Sequence, residues 1–191
     1  SHDSTLNEKE KIHREEKQKI GEHAAKMVEI GESIILDSGT TTLQVAKHLK
    51  DIEELTVMTN AINIAFELAP ISNINLMLTG GTLRKRSYSL VGPEADTALS
   101  RYYFDKFFLG LDGLDLEFGI TTPNPLEAKL NRIMVERAHK VIAVTDSSKF
   151  GRKSFSFISK IDEIDAVITD DGIFPEYVSA LENKSIKVII V

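Results

Sequence analysis

Four segments of the sequence place glycine, hydroxyl or charged side chains directly after short apolar runs. The first is "ILDSGTTTLQVAKHL", residues 35–49, and its polar stretch consists of Asp37, Ser38, Gly39, Thr40, Thr41 and Thr42. Glycine permits backbone conformations that other residues resist, and backbone N–H groups at a helix start can bind an anion. The same residue types also cap helices, with Asp37 or Ser38 accepting a hydrogen bond from the backbone. The segment therefore predicts either a capped helix or a phosphate-sized anion site.

The second segment is "LTGGTLRKRSYSLVGP", residues 78–93, in which an apolar run ends on Gly80 and Gly81. If the glycine turn folds back over the strand ends, the guanidinium of Arg84 can pair with a phosphate or a carboxylate. The alternative is a solvated basic loop, and we assign that role to Lys85 and Arg86.

The third segment, "LGLDGLDLEFGITTP" at residues 109–123, holds Asp112, Asp115 and Glu117 between glycines. Carboxylates in such a loop can accept hydrogen bonds from sugar hydroxyls or, in an enzyme, move protons. Asp112 and Gly113 are equally typical of a tight turn.

The fourth segment, "VTDSSKFG" at residues 144–151, puts Lys149 just beyond an apolar run. The five histidines are scattered without a paired ligand spacing, so we expect neither a metal site nor a cofactor.

The elements that must position these segments alternate along the chain. Seven β-type runs are visible: "SIILD", "LTVMT", "NINLMLT", "KFFLGL", "KVIAVTD", "DAVITD" and "KVIIV". Helical spacing is found at 4–30, 41–49, 61–68, 94–102, 126–138 and 175–181. Short apolar strands separated by helices predict an α/β fold with a largely parallel sheet flanked by helices. Ligands of such sheets bind beyond the strand ends, where the four segments lie.

Composition limits the function classes. The 191 residues, 42% of them hydrophobic, fit one domain, with a small α/β subdomain as a further option. No apolar stretch approaches the roughly 20 residues that span a bilayer, so no membrane contact is expected. The absence of cysteine agrees with a cytoplasmic protein. The net charge of -6 makes the chain by itself a poor nucleic-acid binder.

In their order and spacing, these motifs resemble the C-terminal effector-sensing domain of the DeoR family of bacterial transcription regulators. The matching blocks run from about Glu15 to the C-terminus and are "REEKQKIGEHAAKMVEIGESIILDSGTTT", "TN", "TGGTLR", "GPEA", "FDKFFLGLDGLD", "GITT", "EAKLNRIM" and "VTDSSKFG". The family's usual pattern has a lysine where this chain has Asn131. "EAKLNRIM" resembles the subgroup that regulates N-acetylgalactosamine and related amino-sugar genes.

The resemblance implies a fold similar to ribose-5-phosphate isomerase and NagB-like proteins. It also implies a partner, a phosphorylated sugar or amino sugar that modulates DNA binding by a separate N-terminal winged helix-turn-helix. We expect that module to be absent from this chain. Residues 1–14 are then a linker with a lead-in helix, Ser1 and His2 being left from an expression tag, and residues 15–191 are the sensor. A repressor acting as a homodimer or homotetramer is expected.

The resemblance also implies a set of ligand-binding residues. Asp37, Ser38, Gly39, Thr40, Thr41 and Thr42 match the phosphate loop, and Asn60 follows the next strand. Gly80, Gly81 and Arg84 match the glycine-arginine turn, Asp112 and Gly113 line the sugar end, and Glu127 and Lys149 belong to the same pocket.

The alternative function is a sugar-phosphate isomerase of the ribose-5-phosphate isomerase type. Its acid/base carboxylate would come from "LDGLD", which resembles the acidic turn of those enzymes, with Glu127 as a second carboxylate. The isomerases follow that turn with a lysine-glycine-rich block, whereas "LEFGITTPNP" contains no lysine before Lys129. We therefore expect no enzymatic activity and no catalytic residues.

Overall fold

The structure, a computed structural model, describes residues 3–191, so the predictions for Ser1 and His2 lie outside the described residues. The helices are α1 (Leu6–Glu10), α2 (Arg14–Lys26), α3 (Thr40–Ala46), α4 (Ile62–Leu68), α5 (Pro93–Leu99), α6 (Pro125–Arg137) and α7 (Pro175–Asn183). The strands are β1 (Ser33–Leu36), β2 (Leu55–Thr59), β3 (Ile74–Leu78), β4 (Thr82–Arg84), β5 (Ser89–Val91), β6 (Phe104–Gly110), β7 (Gly113–Asp115), β8 (Gly119–Thr122), β9 (Ala138–Val144), β10 (Ser156–Ser159), β11 (Ala166–Thr169) and β12 (Lys187–Ile190).

Seven strands form one parallel sheet in the order β12-β11-β9-β6-β1-β2-β3. In β1 the consecutive residues Ile34, Ile35 and Leu36 are all fully buried. Successive side chains of a strand point to opposite faces, so both faces of this sheet are covered. Ile34 and Leu36 pack in one apolar cluster with residues of α2, α3 and α4, and Ile35 packs in another with residues of α5, α6 and α7. The predicted α/β fold is confirmed.

The predicted continuous helix over 4–30 is wrong. α1 and α2 are separate helices, and His13 before α2 has a left-handed backbone with φ of 55°. The lead-in contains too few apolar residues at helical spacing to hold one straight amphipathic helix against the core. Leu6 is buried instead by folding α1 back over the domain.

Two small sheets were not anticipated. β4 pairs antiparallel with β5, and β8 pairs antiparallel with both β7 and β10. In the chain, β4 and β5 follow β3, β7 and β8 follow β6, and β10 follows β9. The "TLR" and "GLD" segments predicted as loops are therefore short strands. Within residues 3–191, none of the helices has the length and apolar character needed to cross a membrane.

The order in which the chain adds strands to the parallel sheet reverses between β1 and β6. From β1 the chain adds β2 and β3 on one side, whereas from β6 it adds β9, β11 and β12 on the other. The loops that leave the adjacent carboxyl ends of β1 and β6 therefore diverge, which opens a crevice suited to a ligand. Asp37 follows β1 and Asp112 follows β6.

The side chain of Asp37 ties these two strand ends together. It is 3% exposed, and its Oδ1 accepts a hydrogen bond from the Gly110 N–H at 3.0 Å. Its Oδ2 accepts from Asn131 Nδ2 at 3.2 Å. α3 has Gly39 as its N-cap, without a side-chain capping bond. The alternative in which Asp37 or Ser38 caps this helix is therefore wrong, because the Asp37 carboxyl is engaged across the sheet.

The pKa of Asp37 lies well above its usual range because burial penalises the carboxylate. The negative charges of Glu127 and Asp112 raise the pKa further, and the bonds from Gly110 and Asn131 only partly oppose them. A carboxyl whose pKa is higher in the folded than in the unfolded state favours folding at acid pH. Its contribution to stability then falls as the pH rises above the unfolded pKa of about 3.9.

We expect Asp37→Asn to raise the free energy of unfolding at neutral pH relative to the wild type. An amide can still accept from Gly110, and Asn131 can turn its amide to accept from the new NH₂ group. Urea unfolding from pH 4 to pH 8 should show a difference between the two proteins that grows with pH. Asp51→Asn, at an exposed loop position, is the control and should leave no growing difference. A constant difference across this range would contradict the ionisation cost at Asp37.

Candidate functional site

A pocket that is open to solvent lies at the carboxyl ends of β1 and β6. Eight predicted residues line it together: Ser38, Gly39, Thr40, Thr41, Arg84, Asp112, Glu127 and Lys149. Six do not: Asp37, Thr42, Asn60, Gly80, Gly81 and Gly113.

One end of the pocket is formed by the loop after β1 and the start of α3. Gly39 has a φ of 150°, a conformation that L-residues rarely adopt, and it turns the chain into the helix. Thr40 and Thr41 line the pocket, whereas Thr42 turns inward and donates to the Gly39 carbonyl at 3.1 Å. Since no side chain caps α3, the N–H groups of its first turn keep their capacity to donate to a ligand.

The buried Lys17 and the half-buried Lys149 line the same pocket. Lys17 of α2 is 6% exposed, and burial lowers its pKa to about 8, partly offset by the charge of Asp146. Burial also lowers the pKa of Lys149, whose ammonium forms no hydrogen bond or ion pair with any of residues 3–191. A desolvated ammonium is stabilised by a nearby negative charge. The pocket thus favours an anionic ligand.

Close packing of two helices brings Lys17 to this position. A Cβ on Gly21 would lie 2.5 Å from the backbone carbonyl carbon of Gln44 in α3, so only glycine allows this approach. Lys17 shares the buried stripe of α2 with Ile20 and Ala24. The helix that carries the lysine is therefore fixed directly against the helix that begins at Thr40.

Asp112, Glu127 and Asp146 bring carboxylates into the pocket lining. Asp112 Oδ1 pairs with Lys9 Nζ at 2.9 Å, and Asp112 Oδ2 accepts from Thr122 Oγ1 at 2.7 Å. Burial opposes ionisation of Asp112, but Lys9 and Thr122, with the charge of Lys149, hold its pKa below the usual value. Asp112 is therefore a carboxylate at neutral pH.

Glu127 and Arg84 form a second charged pair in the pocket. Asn124 caps α6 by accepting from the Glu127 N–H at 3.1 Å, which sets Glu127 in the first turn. Arg84 Nη1 lies 3.4 Å from Glu127 Oε1 and donates to Ser87 Oγ at 3.0 Å, and Ser87 and Ser89 both donate to Glu127. The hairpin of β4 and β5 holds this group in place.

The predicted residues outside the lining shape the loops around it. Asn60 is 1% exposed and donates to the Leu90 carbonyl at 3.2 Å, which joins the end of β2 to β5. Gly80 and Gly81 have φ of 69° and 117°, as the turn into β4 requires. A Cβ on Gly113 would lie 2.6 Å from the Arg152 carbonyl oxygen, so this glycine permits close packing at the start of β7.

Sequence reasoning did not identify Lys9, Lys17 and Asp146, which also line the pocket. Lys17 left a signal, because a lysine three residues before Ile20 falls on the apolar stripe of its helix. Lys9 left none, since it reaches the pocket only through the unpredicted bend between α1 and α2. Within the described part of the chain, no group of three or more His, Asp or Glu side chains is arranged to hold a metal ion.

Comparison with known proteins identifies relatives of this sequence. The sequence matches the model of the DeoR C terminal sensor domain over residues 12–171. It is 38% identical over 187 residues to a candidate transcriptional repressor of the aga operon from Escherichia coli O157:H7, covering 98% of this chain and 70% of that protein. It is 43% identical over 176 residues to the HTH-type transcriptional regulator YulB of Bacillus subtilis, covering 92% of this chain and 68% of the relative.

Solved structures with the same fold are more distant in sequence. Ribose 5-phosphate isomerase A from Methanocaldococcus jannaschii has a TM-score of 0.51 at 18% identity, with 72% of this chain and 54% of that chain covered. The eIF2B delta chain of Chaetomium thermophilum has a TM-score of 0.58 at 16% identity, with coverages of 85% and 57%. This chain thus spans little more than half of either protein, and both support the fold alone. The family match and the curated relatives show that this chain belongs to the DeoR C-terminal sensor domains of transcriptional regulators.

Proposed function

We propose that the pocket binds a phosphorylated sugar or amino sugar, and that binding modulates DNA binding by the regulator of which this chain is the sensor. One observation carries the proposal: Lys17, Lys149 and an uncapped helix start line the same pocket as the carboxylates of Asp112 and Glu127. The first set suits a phosphate, and the second suits the hydroxyl or amino groups of a sugar.

At the phosphate end, we assign Ser38, Gly39, Thr40 and Thr41 to the anion, with Lys17 and Lys149 supplying positive charge. Asp37 and Thr42 support this loop from behind through their bonds to Gly110 and Gly39. The other predicted residues outside the lining, Asn60, Gly80, Gly81 and Gly113, act indirectly by shaping the loops.

At the sugar end, we assign Asp112 and Glu127 as acceptors and Arg84 as a donor. A protonated amino group would be favoured beside two carboxylates, which suits an amino sugar. The aga operon in the name of the Escherichia coli relative and the "EAKLNRIM" segment point to the same subgroup.

Regulation then follows from differential affinity. A ligand that binds one arrangement of the sensor better shifts the population toward it, by at most that difference in binding free energy. The DNA contacts belong to another part of the regulator, since this chain has a net charge of -6. We further propose that the regulator is a repressor that acts in the cytoplasm as a homodimer or homotetramer.

An isomerase remains the alternative function, and the pocket geometry disfavours it. A general base needs a carboxylate oxygen that is free to take a substrate proton. Both oxygens of Asp112 are engaged by Lys9 and Thr122. We therefore assign no catalytic residue.

We expect phosphorylated sugars to stabilise the protein and Thr41→Val to weaken their binding. A ligand at one hundred times its dissociation constant adds about 2.7 kcal/mol to the stability. Loss of one hydrogen bond to a charged group, about 1.5–3 kcal/mol, should weaken binding roughly 10- to 100-fold. Thermal-shift titrations with galactosamine 6-phosphate, N-acetylgalactosamine 6-phosphate, tagatose 6-phosphate and fructose phosphates measure both effects.

The control for Thr41→Val is Thr97→Val, the same replacement at an exposed position of α5, which should bind like the wild type. Unphosphorylated sugars should give much smaller shifts than their phosphates. Equal shifts by both forms, or unchanged affinity in Thr41→Val, would contradict the phosphate assignment.

We further expect the affinity for a sugar phosphate to fall as the pH rises from 7 to 9. Lys17, with its pKa of about 8, loses its charge over this range, and an anion binds the charged form better. Binding at pH 8 should therefore take up protons, which calorimetry in buffers of different ionisation enthalpy detects. Lys17→Met should bind roughly tenfold more weakly at pH 7 and lose most of this pH dependence. Lys19→Met, at an exposed position of the same helix, should retain both properties.

Incubation with ribose 5-phosphate should give no isomerisation above that of an Asp112→Asn variant. The coupled formation of ribulose 5-phosphate provides the measurement. Turnover by the wild type that Asp112→Asn abolishes would favour the isomerase instead.

A further inference from the structure

Residues 3–10, here called the flap, fold across the pocket. The flap consists of an extended start and α1, and the left-handed residue His13 lies between it and α2. The Leu6 N–H donates to the Arg86 carbonyl at 3.0 Å, and the Leu6 side chain lines the pocket. The flap is therefore part of the pocket wall.

The charged groups of the flap pair with the groups assigned above to the effector. The Asp3 carboxylate pairs with Arg84, and Lys9 Nζ pairs with Asp112 at 2.9 Å. Lys17 Nζ donates to the Lys9 carbonyl oxygen at 2.7 Å. The flap thus presents a carboxylate to a cation of the pocket, an ammonium to a carboxylate, and a carbonyl to the buried lysine.

We propose that the flap is an internal competitor of the effector, an inference that rests on the proposed function. A sugar phosphate takes over Arg84, Asp112 and Lys17, and the flap leaves the pocket because its partners are then occupied. Besides these pairs, Arg86 holds the flap through the Leu6 N–H at 3.0 Å and the Asp3 carbonyl at 2.7 Å. A helix of five residues is not stable alone, and Leu6 is its one buried side chain.

Competition of this kind sets both the sensitivity and the output of the sensor. The apparent affinity for the effector equals the intrinsic affinity multiplied by the fraction of molecules in which the flap is open. Displacement moves the segment that immediately precedes α2. Binding of the effector thereby changes the position of residues 3–10 relative to the pocket.

Hydrogen exchange with sugar phosphate present, combined with two matched variants, tests the competition. Asp3→Asn and Glu10→Gln each remove one negative charge from the flap. Asp3 pairs with Arg84, whereas Glu10 is exposed, so Glu10→Gln is the control. The probes are galactosamine 6-phosphate, N-acetylgalactosamine 6-phosphate and tagatose 6-phosphate. We expect bound probe to accelerate exchange of the amides of residues 6–10 and to leave the amides of residues 17–26 unchanged or slower. Asp3→Asn should bind the probe about three- to tenfold more tightly than the wild type, and Glu10→Gln should bind it equally.

Two results would overturn the inference, and only the second would also overturn the proposed function. If a probe binds while exchange of residues 6–10 is unchanged or slowed, and Asp3→Asn has the affinity of Glu10→Gln, the flap does not compete and the proposed function stands. If none of the three probes binds the wild type or Asp3→Asn, the proposed function fails together with the inference.

Discussion

The hydrogen bond between the Asp37 carboxyl and the Gly110 amide is the interaction on which the site depends. It joins the carboxyl ends of β1 and β6, the two adjacent strands between which the order of strand addition reverses. The loop to Gly39 begins directly beyond one end, and Asp112 lies directly beyond the other. Because the strand ends are joined, the loop through Gly39 and the segment with Asp112 leave the sheet from adjacent points. The burial of Asp37 raises its pKa and makes the ionised carboxyl costly, so stability is given up at the edge of the sheet where we propose that the ligand binds.

The two lysines of the pocket are a second case in which charged groups are buried at a cost in stability. Lys17 and Lys149 are desolvated, which lowers the pKa of both, and no carboxylate of the described residues forms an ion pair with either. Asp112, by contrast, is held as a carboxylate by Lys9 and Thr122. The cations therefore gain more from an incoming anion than the carboxylates do from an incoming cation. A ligand with one anionic end and one hydroxyl-rich end suits this asymmetry, and its binding offsets part of the cost of burying the lysines.

Much of this arrangement could be predicted from the sequence, because it depends on local patterns. All seven strands of the parallel sheet were predicted from apolar runs, and the position of the pocket followed from the rule that ligands bind beyond the ends of parallel strands. What could not be predicted depends on long-range packing. The bend at His13, the three-residue strands and the contact of Lys9 with Asp112 have no periodic signal. Asn60, which the resemblance predicts as a ligand residue, donates to the Leu90 carbonyl and lies outside the pocket lining.

The contrast between a sensor and an enzyme follows from how the pocket charges are partnered. An enzyme of the isomerase type needs a carboxylate that stays free to take a proton at the reacting carbon. In this pocket two of the charged groups already have partners within the chain: Asp112 pairs with Lys9, and Arg84 pairs with Asp3 and Glu127. Such partners are a hindrance to catalysis, because they must be removed before each turnover. They are useful in a sensor, because a ligand that replaces them exchanges one set of contacts for another. In the proposed function, the difference in free energy between the two sets shifts the protein from one conformation to the other.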